Sequence, residues 1–152
     1  MTERKSALIT GAAGDIGAAT ALAFASAGLD VVITDRRGDA LDAVAARIAA
    51  EAPGVRVMAH ACDQTDPEVV ARLFDTIRDR YGRLDAAFLN AGYGRYGALI
   101  DLPFDQWRKH VEVNLNGGFL MAQGAARLMR DAGRALGHQE AAVEVDLHML
   151  PP

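Results

Sequence analysis

The residues whose types and spacing could support chemistry begin with a glycine-rich run at positions 10–17, with the sequence TGAAGDIG. This run follows a short apolar stretch, residues 7–9, and precedes a stretch typical of a helix. A strand, a glycine-rich turn and a helix form an anion site, because free backbone N–H groups and the positive end of the helix dipole point at the ligand. We expect Gly11 to allow the tight turn, Gly14 to admit a pyrophosphate, and Gly17 to let the helix pack closely on the strand.

An acidic residue stands where a nucleotide ribose would need one. Residues 31–34 (VVIT) predict a second buried strand, and Asp35 ends it. A carboxylate about 20 residues after such a loop accepts hydrogen bonds from a ribose diol, although Asp35 could also be a solvated turn residue. Because a carboxylate repels a 2′-phosphate, Asp35 favours NAD. Arg36 and Arg37 leave NADP possible, since guanidinium groups pair well with phosphate.

The elements that must position these residues alternate along the chain between strands and helices. Apolar runs predict strands at 6–10, 31–34, 55–61 and 84–89. Apolar periodicity predicts helices at about 15–27, at 39–51, from a cap at Asp66 with Pro67 in first position, and from within 101–118 to about 131. The pattern predicts an α/β fold, a doubly wound parallel sheet of the Rossmann type with strand order 3-2-1-4, truncated after strand four or five.

Composition narrows the possible functions. A chain of 152 residues with 51% hydrophobic residues predicts one globular domain, residues 1–152. The formal net charge of −4 gives no indication of a nucleic-acid partner, and no apolar run is long enough to span a membrane. Cys62 is the only cysteine, which suits a reducing cytoplasm. We expect a cytoplasmic protein without a metal site.

From residue 6 to about 131, the sequence resembles the short-chain dehydrogenase/reductase family. The resemblance rests on the glycine-rich loop, Asp35, Asp63 after the third strand, Asn90-Ala91-Gly92 after the fourth, and Asn114. It implies a nicotinamide dinucleotide as cofactor and partner, and hydride transfer between the nicotinamide and an alcohol or carbonyl carbon. The loop departs from the family's commonest form, which has its middle glycine where Asp15 stands here.

The resemblance also implies roles for single residues. Asp63 would contact the adenine edge, Asn90 would support the sheet beside the cofactor, and Asn114 would help hold a water in a proton relay. Plainer roles stay open: Asp63 could cap a turn, Asn90 could satisfy backbone groups, and Asn114 could face solvent. The predicted cofactor-binding residues are Gly11, Ala13, Asp15, Ile16, Gly17, Asp35, Arg36, Asp63, Asn90, Ala91 and Gly92. Asn114 is the one predicted catalytic residue.

The family's central catalytic residues are missing from this sequence. Its members use a Tyr as general acid/base, a Lys four residues later that lowers the tyrosine pKa, and an upstream Ser. None of the three tyrosines here is followed by a lysine at that spacing. The resemblance fails from Gly133, so residues 134–152 form a divergent tail. Residues 143–149 alternate between apolar and polar types and predict an edge strand or a disordered segment. His138 and His148 are expected at the surface rather than in a metal site.

Two hypotheses follow. The first is a short-chain oxidoreductase truncated or frame-shifted after about residue 133, which binds the cofactor without turnover. The second is a genuine short module that binds nucleotide or another protein and has no catalytic role. A third, another chemistry on the same fold, has no nucleophile–base pair to support it. Apolar surface left bare by missing helices predicts association, so a homo-oligomer is possible.

Overall fold

The computed structural model describes residues 4–135. The sequence predictions for 143–149, His138 and His148 lie outside the described residues. The elements in chain order are β1 (Ser6–Thr10), α1 (Asp15–Ser26), β2 (Asp30–Asp35), α2 (Gly38–Glu51), β3 (Val57–Ala61), α3 (Pro67–Tyr81), β4 (Ala86–Leu89), a 3-10 turn (Leu99–Asp101), α4 (Phe104–Val111), a π-helical turn (Glu112–Gly117) and α5 (Gly118–Ala135). Asp66 caps α3 as predicted, because its side chain accepts hydrogen bonds from the Glu68 and Val69 N–H groups.

The four strands form one parallel sheet in the order β3-β2-β1-β4, which confirms the predicted strand order. The central strand β1 is buried along its whole length. Its Leu8 lies opposite Val32 of β2 on one side and Ala87 of β4 on the other. A strand buried in this way is apolar on both faces, which is why its sequence is a continuous hydrophobic run rather than an alternating one.

Two hydrophobic cores lie on opposite faces of the sheet, because successive residues of a strand point in opposite directions. On one face, Leu8 and Val32 pack with α3 and α5. On the other face, Ile9 and Ile33 pack with α1 and α2. Helices therefore cover both faces, and the predicted doubly wound architecture is confirmed.

Two strands begin later than the sequence predicts. The Val55 N–H still donates to the Ala52 carbonyl (3.5 Å), so Val55 belongs to the turn after α2. Before β4, the Asp85 carboxylate accepts from the Ser6 N–H (2.8 Å) and replaces a backbone ladder partner at that position. Both differences arise where a turn or a side chain takes the hydrogen bond that a strand would make.

The long C-terminal helix differs from the prediction in one respect. It begins at Phe104, within the predicted range of 101–118, but the π-helical turn at residues 112–117 interrupts it. A π-helical turn inserts one extra residue into an α-helix and often marks a functional position. This turn carries Asn114, the predicted catalytic residue.

Five large apolar residues of α4 and α5 differ in their burial. Leu128 is buried, while Leu120 and Met129 are partly buried against the core. Trp107 and Phe119 are instead 48% and 61% exposed, so they do not belong to the core. Self-association stays a prediction. Within residues 4–135, no helix combines the length and apolar character that crossing a membrane requires.

The contact between α3 and α5 depends on a glycine. A Cβ added at Gly124 would lie 2.2 Å from Cε2 of Phe74, whose ring is buried in the core. The two helices can approach each other this closely only where one of them has no side chain. This contact holds α5, and with it the π-helical turn, against the sheet.

We predict that Gly124→Ala lowers the free energy of unfolding by about 1–3 kcal/mol, because the new methyl group forces the buried Phe74 ring to move. The matched control is Gly133→Ala in the same helix, where an added Cβ meets nothing within 4 Å. The control should raise stability by roughly 0.5–1 kcal/mol, since alanine favours helix over glycine. Urea unfolding of the three proteins measures both values, and equal effects of the two substitutions would contradict the packing argument.

Candidate functional site

The candidate site lies at the carboxyl ends of β1, β2, β3 and β4. The chain crosses from β1 to β2 on one side and from β3 to β4 on the other, so the strand order reverses beside β1. In doubly wound sheets, ligands bind in the crevice outside this point of reversal. The glycine-rich loop, Asp35, Asp63 and the Asn90-Ala91-Gly92 segment all follow strands that end here.

Two glycines of the loop are required by the protein's own packing. Gly11 has a φ of +66°, and a Cβ there would lie 2.9 Å from Cα of Ala91. A Cβ at Gly17 would lie 2.3 Å from the Gly11 carbonyl oxygen. Gly14 differs from both, because its backbone is extended (φ −93°, ψ 162°) and an added Cβ would make only an ordinary contact at 3.5 Å. Packing therefore explains Gly11 and Gly17 but not Gly14.

The amino end of α1 faces the same edge of the sheet. Gly14 caps the helix without a side-chain hydrogen bond, and the first intrahelical bond runs from Ala18 N–H to the Gly14 carbonyl (2.9 Å). The N–H groups of Asp15, Ile16 and Gly17 precede this bond, so the helix itself offers them no acceptor. Asp15 and Ile16 are exposed. The Asp15 carboxylate is favourable at the positive end of the helix dipole.

Asp35 is tied to the loop after β1. Its Oδ2 accepts from the Ala13 N–H (3.2 Å), and its Oδ1 accepts from the Arg37 N–H (3.0 Å). The Arg37 guanidinium donates to the Ala13 carbonyl (3.2 Å) and lies 3.5 Å from Asp35 Oδ1. The Asp35 side chain keeps 13% of its surface exposed. It is therefore held in one orientation while still reaching the solvent-facing edge.

The segment after β4 is joined to the end of β1. The Ala91 N–H donates to Thr10 Oγ1 (2.9 Å), and the Asn90 amide donates to the Thr10 carbonyl (3.3 Å). Asn90 thus satisfies a backbone group at a strand end, which is the plainer of the two roles considered for it. The contact places Ala91 beside Gly11 in the centre of the site.

Asp63 caps a turn and lies near two cationic side chains. Its Oδ1 accepts from the Thr65 N–H (3.0 Å) and hydroxyl (2.7 Å), which matches the turn-capping alternative. The hydrogen bond from the Thr65 backbone is the largest cause that lowers the pKa of Asp63, and the nearby Arg36 and Lys109 lower it further. The carboxylate is therefore ionised at neutral pH. Among the described residues, no hydrogen bond engages its Oδ2.

Asn114 uses its whole amide group to hold the loop after β4. Its Oδ1 accepts from the Tyr93 N–H (2.7 Å), and its Nδ2 donates to the Tyr93 carbonyl (2.8 Å). The Tyr93 hydroxyl donates to Gln106 Oε1 (3.0 Å), and the Lys109 ammonium lies 4.6 Å from the centre of the Tyr93 ring. A tyrosine and a lysine meet here in space, but the cation faces the ring rather than the hydroxyl.

Gln64 makes polar contacts within the site that the sequence did not predict. Its Nε2 donates to the Val113 carbonyl (2.8 Å) and to the Ala91 carbonyl (3.2 Å), and the residue is 8% exposed. A Cβ at Gly117 would lie 2.7 Å from Gln64 Cγ. Gln64 thus connects the end of β3, the end of β4 and the π-helical turn. Nothing in the local sequence around residue 64 distinguishes it from a solvated loop residue.

A cavity of about 220 Å³ joins these elements. It is smaller than the roughly 300–1,000 Å³ of a typical small-molecule site, so it could hold only part of a dinucleotide. Of the predicted residues, its lining includes Gly11, Asp35, Arg36, Asp63, Ala91 and Gly92. It does not include Ala13, Asp15, Ile16, Gly17, Asn90 or Asn114. The lining residues that sequence reasoning left without a role are Thr34, Cys62, Gln64, Tyr93, Lys109, Val113 and Met121.

Two small polar residues lie at the floor of the cavity. Thr34 is 2% exposed, and its hydroxyl interacts with the Cys62 thiol. Cys62 is 7% exposed, and burial is the main cause that raises the pKa of its thiol to about 11; the Thr34 interaction by itself lowers that pKa, while the carboxylates of Asp63 and Asp66 add to the increase. The thiol is therefore protonated and unreactive at neutral pH. No group of three or more potential metal ligands occurs among residues 4–135.

Comparison with known proteins gives one consistent result. The protein-family model described as short chain dehydrogenase matches residues 5–137 of this chain. D-threitol dehydrogenase from Mycolicibacterium smegmatis is 33% identical over 149 residues, which are 95% of this chain and 56% of that protein.

Solved structures agree with the sequence match. NAD+-bound xylitol dehydrogenase has a TM-score of 0.80 and 32% identity, and the match covers 86% of this chain and 50% of that one. L-sorbose reductase from Gluconobacter frateurii, complexed with NADPH and L-sorbose, has a TM-score of 0.79 and 30% identity, covering 86% and 49%. The chain thus spans about half the length of the proteins it matches. It belongs to the short-chain dehydrogenase/reductase family of nicotinamide-dependent oxidoreductases.

Proposed function

We propose that this chain binds a nicotinamide dinucleotide along the carboxyl edge of its sheet. The pyrophosphate would lie at the amino end of α1, where N–H groups have no intrahelical acceptor. The adenosine would occupy the cavity between Asp35 and Asp63, with the diol of its ribose on Asp35. The nicotinamide half would extend toward the segment of residues 90–92 after β4.

The observation that carries this proposal is the contrast among the three loop glycines. Gly11 and Gly17 are needed because any side chain there would collide with the backbone. Gly14 has an ordinary backbone conformation, and a Cβ there would make only an ordinary contact at 3.5 Å, so the protein alone does not require a glycine. A ligand that approaches the backbone at this point would require one, and a pyrophosphate at a helix terminus is such a ligand.

The side chains at the end of β2 favour NAD over NADP in this proposal. Asp35 is fixed by the Ala13 and Arg37 N–H groups, so it cannot turn away from the ribose without losing two hydrogen bonds. A 2′-phosphate would then lie against a carboxylate. Arg36 is exposed and could offset part of this repulsion, which would leave weaker binding of NADP.

We further propose that the chain, as printed, binds the cofactor without transferring hydride. A phenol needs a nearby cation to act as a base near neutral pH, because its ordinary pKa is about 10. The one tyrosine beside the cavity, Tyr93, has its hydroxyl on Gln106 and the Lys109 ammonium over its ring face. This pair does not reproduce the tyrosine–lysine arrangement that the family's reaction requires.

The first test is nucleotide binding by isothermal titration calorimetry. We expect saturable binding of NAD, and weaker binding of NADP, by the purified chain. Asp35→Asn should weaken NAD binding by about tenfold or more, because a hydrogen bond to a charged acceptor contributes roughly 1.5–3 kcal/mol. Asp35→Asn should also reduce the difference in affinity between NAD and NADP. The matched control is Asp79→Asn, the same change of charge on the exposed surface of α3.

Two results would overturn the binding proposal. One is the absence of saturable binding of either dinucleotide to the folded chain, which would favour the alternative of an interaction module. The other is an equal effect of Asp35→Asn and Asp79→Asn, because a general change in net charge would then explain the result.

The second test is turnover. We expect no formation of reduced nicotinamide when the purified chain is mixed with NAD and a panel of primary, secondary and sugar alcohols. D-threitol dehydrogenase, assayed in parallel with D-threitol, serves as the positive control. Alcohol-dependent reduction of NAD by the 152-residue chain, abolished by Tyr93→Phe, would show that a different tyrosine arrangement supports catalysis and would contradict the proposal.

A further inference from the structure

Gln64 makes contacts that no local structural need explains. It follows β3 and precedes the cap of α3, yet its amide donates to carbonyls of two distant segments. The Val113 carbonyl belongs to the π-helical turn, and the Ala91 carbonyl belongs to the segment after β4. The residue is almost fully buried, so water cannot readily replace its amide as the donor to either carbonyl.

The packing around Gln64 fixes it against the π-helical turn at two positions. One is the hydrogen bond to the Val113 carbonyl (2.8 Å), and the other is Gly117, whose missing side chain leaves room for Gln64 Cγ. These positions are about one turn of the helix apart. A longer side chain at position 117 would push the turn away from the sheet.

The π-helical turn in turn holds the loop after β4. Asn114, the neighbour of Val113, makes hydrogen bonds to both the N–H and the carbonyl of Tyr93. Gln64 holds the same loop two residues earlier through the Ala91 carbonyl. The loop is therefore fixed from two sides, and both contacts trace back to the Gln64 amide.

We propose that Gln64 is a positioning residue that sets the distance between the two ends of the nucleotide site. Its neighbour Asp63 lies at the proposed adenosine end, while Ala91 and Asn114 lie toward the proposed nicotinamide end. Without its amide, two partly buried carbonyls lose their donor, and the π-helical turn and the loop after β4 move apart. The effect on ligand binding rests on the proposed function, but the effect on the loop does not.

The decisive experiment is hydrogen exchange of the ligand-free chain carrying Gln64→Met. Methionine matches glutamine in length and lacks the donor. We expect the Tyr93 amide, which donates to Asn114, and the amides of residues 112–117 to exchange at least about tenfold faster than in the wild type, since a lost hydrogen bond contributes about 1.4 kcal/mol. Gln123→Met, at a half-buried position on α5, is the matched control and should leave these rates unchanged.

Ligand binding separates positioning from a general loss of stability. In Gln64→Met, affinity for NAD should fall about tenfold, and affinity for AMP, which reaches only the adenosine end, should fall by a smaller factor. A variant destabilised throughout would lose affinity for both ligands by the same factor. If the wild type binds neither, the proposed function fails, and hydrogen exchange still decides the role of Gln64.

Gln64→Glu adds a pH test. Burial beside two carbonyl oxygens should raise the pKa of the introduced carboxyl. Above that pKa, the carboxylate repels both carbonyls; below it, the protonated carboxyl donates to one of them. Protection of the Tyr93 amide should therefore increase as the pH falls from about 8 to about 5.5, relative to wild type and to Gln64→Met at each pH.

The proposal is overturned if Tyr93 and residues 112–117 exchange at wild-type rates in a folded Gln64→Met. It is also overturned if Gln64→Glu shows no pH dependence relative to the other two proteins. Should Gln64→Met fail to fold, Gln64→Asn provides the same comparison. It keeps the amide but is too short to reach both carbonyls, and wild-type exchange rates in that variant would likewise contradict the proposal.

Discussion

The close approach of α1 to the loop after β1 is the constraint on which the site depends. The Gly11 carbonyl lies where a side chain at position 17 would begin, so helix and loop can meet only at a glycine. This contact directs the amino end of α1 toward the carboxyl edge of the sheet. The N–H groups of the first turn of α1, which have no acceptor within the helix, then lie at the same edge of the sheet as Asp35 and Ala91. The proposed pyrophosphate position follows from this backbone geometry rather than from a charged side chain.

Polar contacts at the strand ends connect β1 to the other elements of the site. Thr10 binds the segment after β4 through its hydroxyl and its carbonyl. That segment is held by Gln64, and the π-helical turn is held by the same amide. Each contact joins elements far apart in sequence, and each gives a partly buried backbone group a hydrogen-bond partner. The carboxyl edge of the sheet is thus held together by polar contacts, while both faces of the sheet are apolar.

The sequence was sufficient to predict the sheet order and most element positions, because continuous apolar runs separated by amphipathic stretches leave few alternatives to a parallel sheet covered on both faces. Asp66 and Pro67 were likewise predictable, since a helix cap depends only on adjacent residues. Contacts that depend on tertiary structure were not predictable from the sequence. The bonds of Gln64 and the proximity of Lys109 to Asp63 arise only once α4 and the π-helical turn lie beside the residues that follow β3, and no local sequence pattern predicts that placement.

The π-helical turn is a second feature that the sequence pattern does not predict. The apolar periodicity of residues 104–131 is compatible with an uninterrupted helix, and the extra residue between Val111 and Gly118 is visible only in the backbone. Its position is explained by what it contacts. Gln64 occupies the space beside Gly117, and Asn114 reaches Tyr93. The interruption is stabilised by neighbours that a regular helix would not meet at these positions.

Binding and chemistry place different demands on such a fold. Holding a dinucleotide needs N–H groups at a helix end, a carboxylate at a strand end and space beside the strand ends, and the proposed function assigns these parts to α1, Asp35 and the cavity. Transferring hydride needs in addition a phenol, a cation beside its hydroxyl and a shaped substrate pocket. Tyr93 and Lys109 meet at the edge of the cavity, but in ring-face rather than hydroxyl geometry. Under the proposed function, the backbone constraints at this sheet edge serve nucleotide binding, and they do so independently of how Tyr93 and Lys109 are arranged.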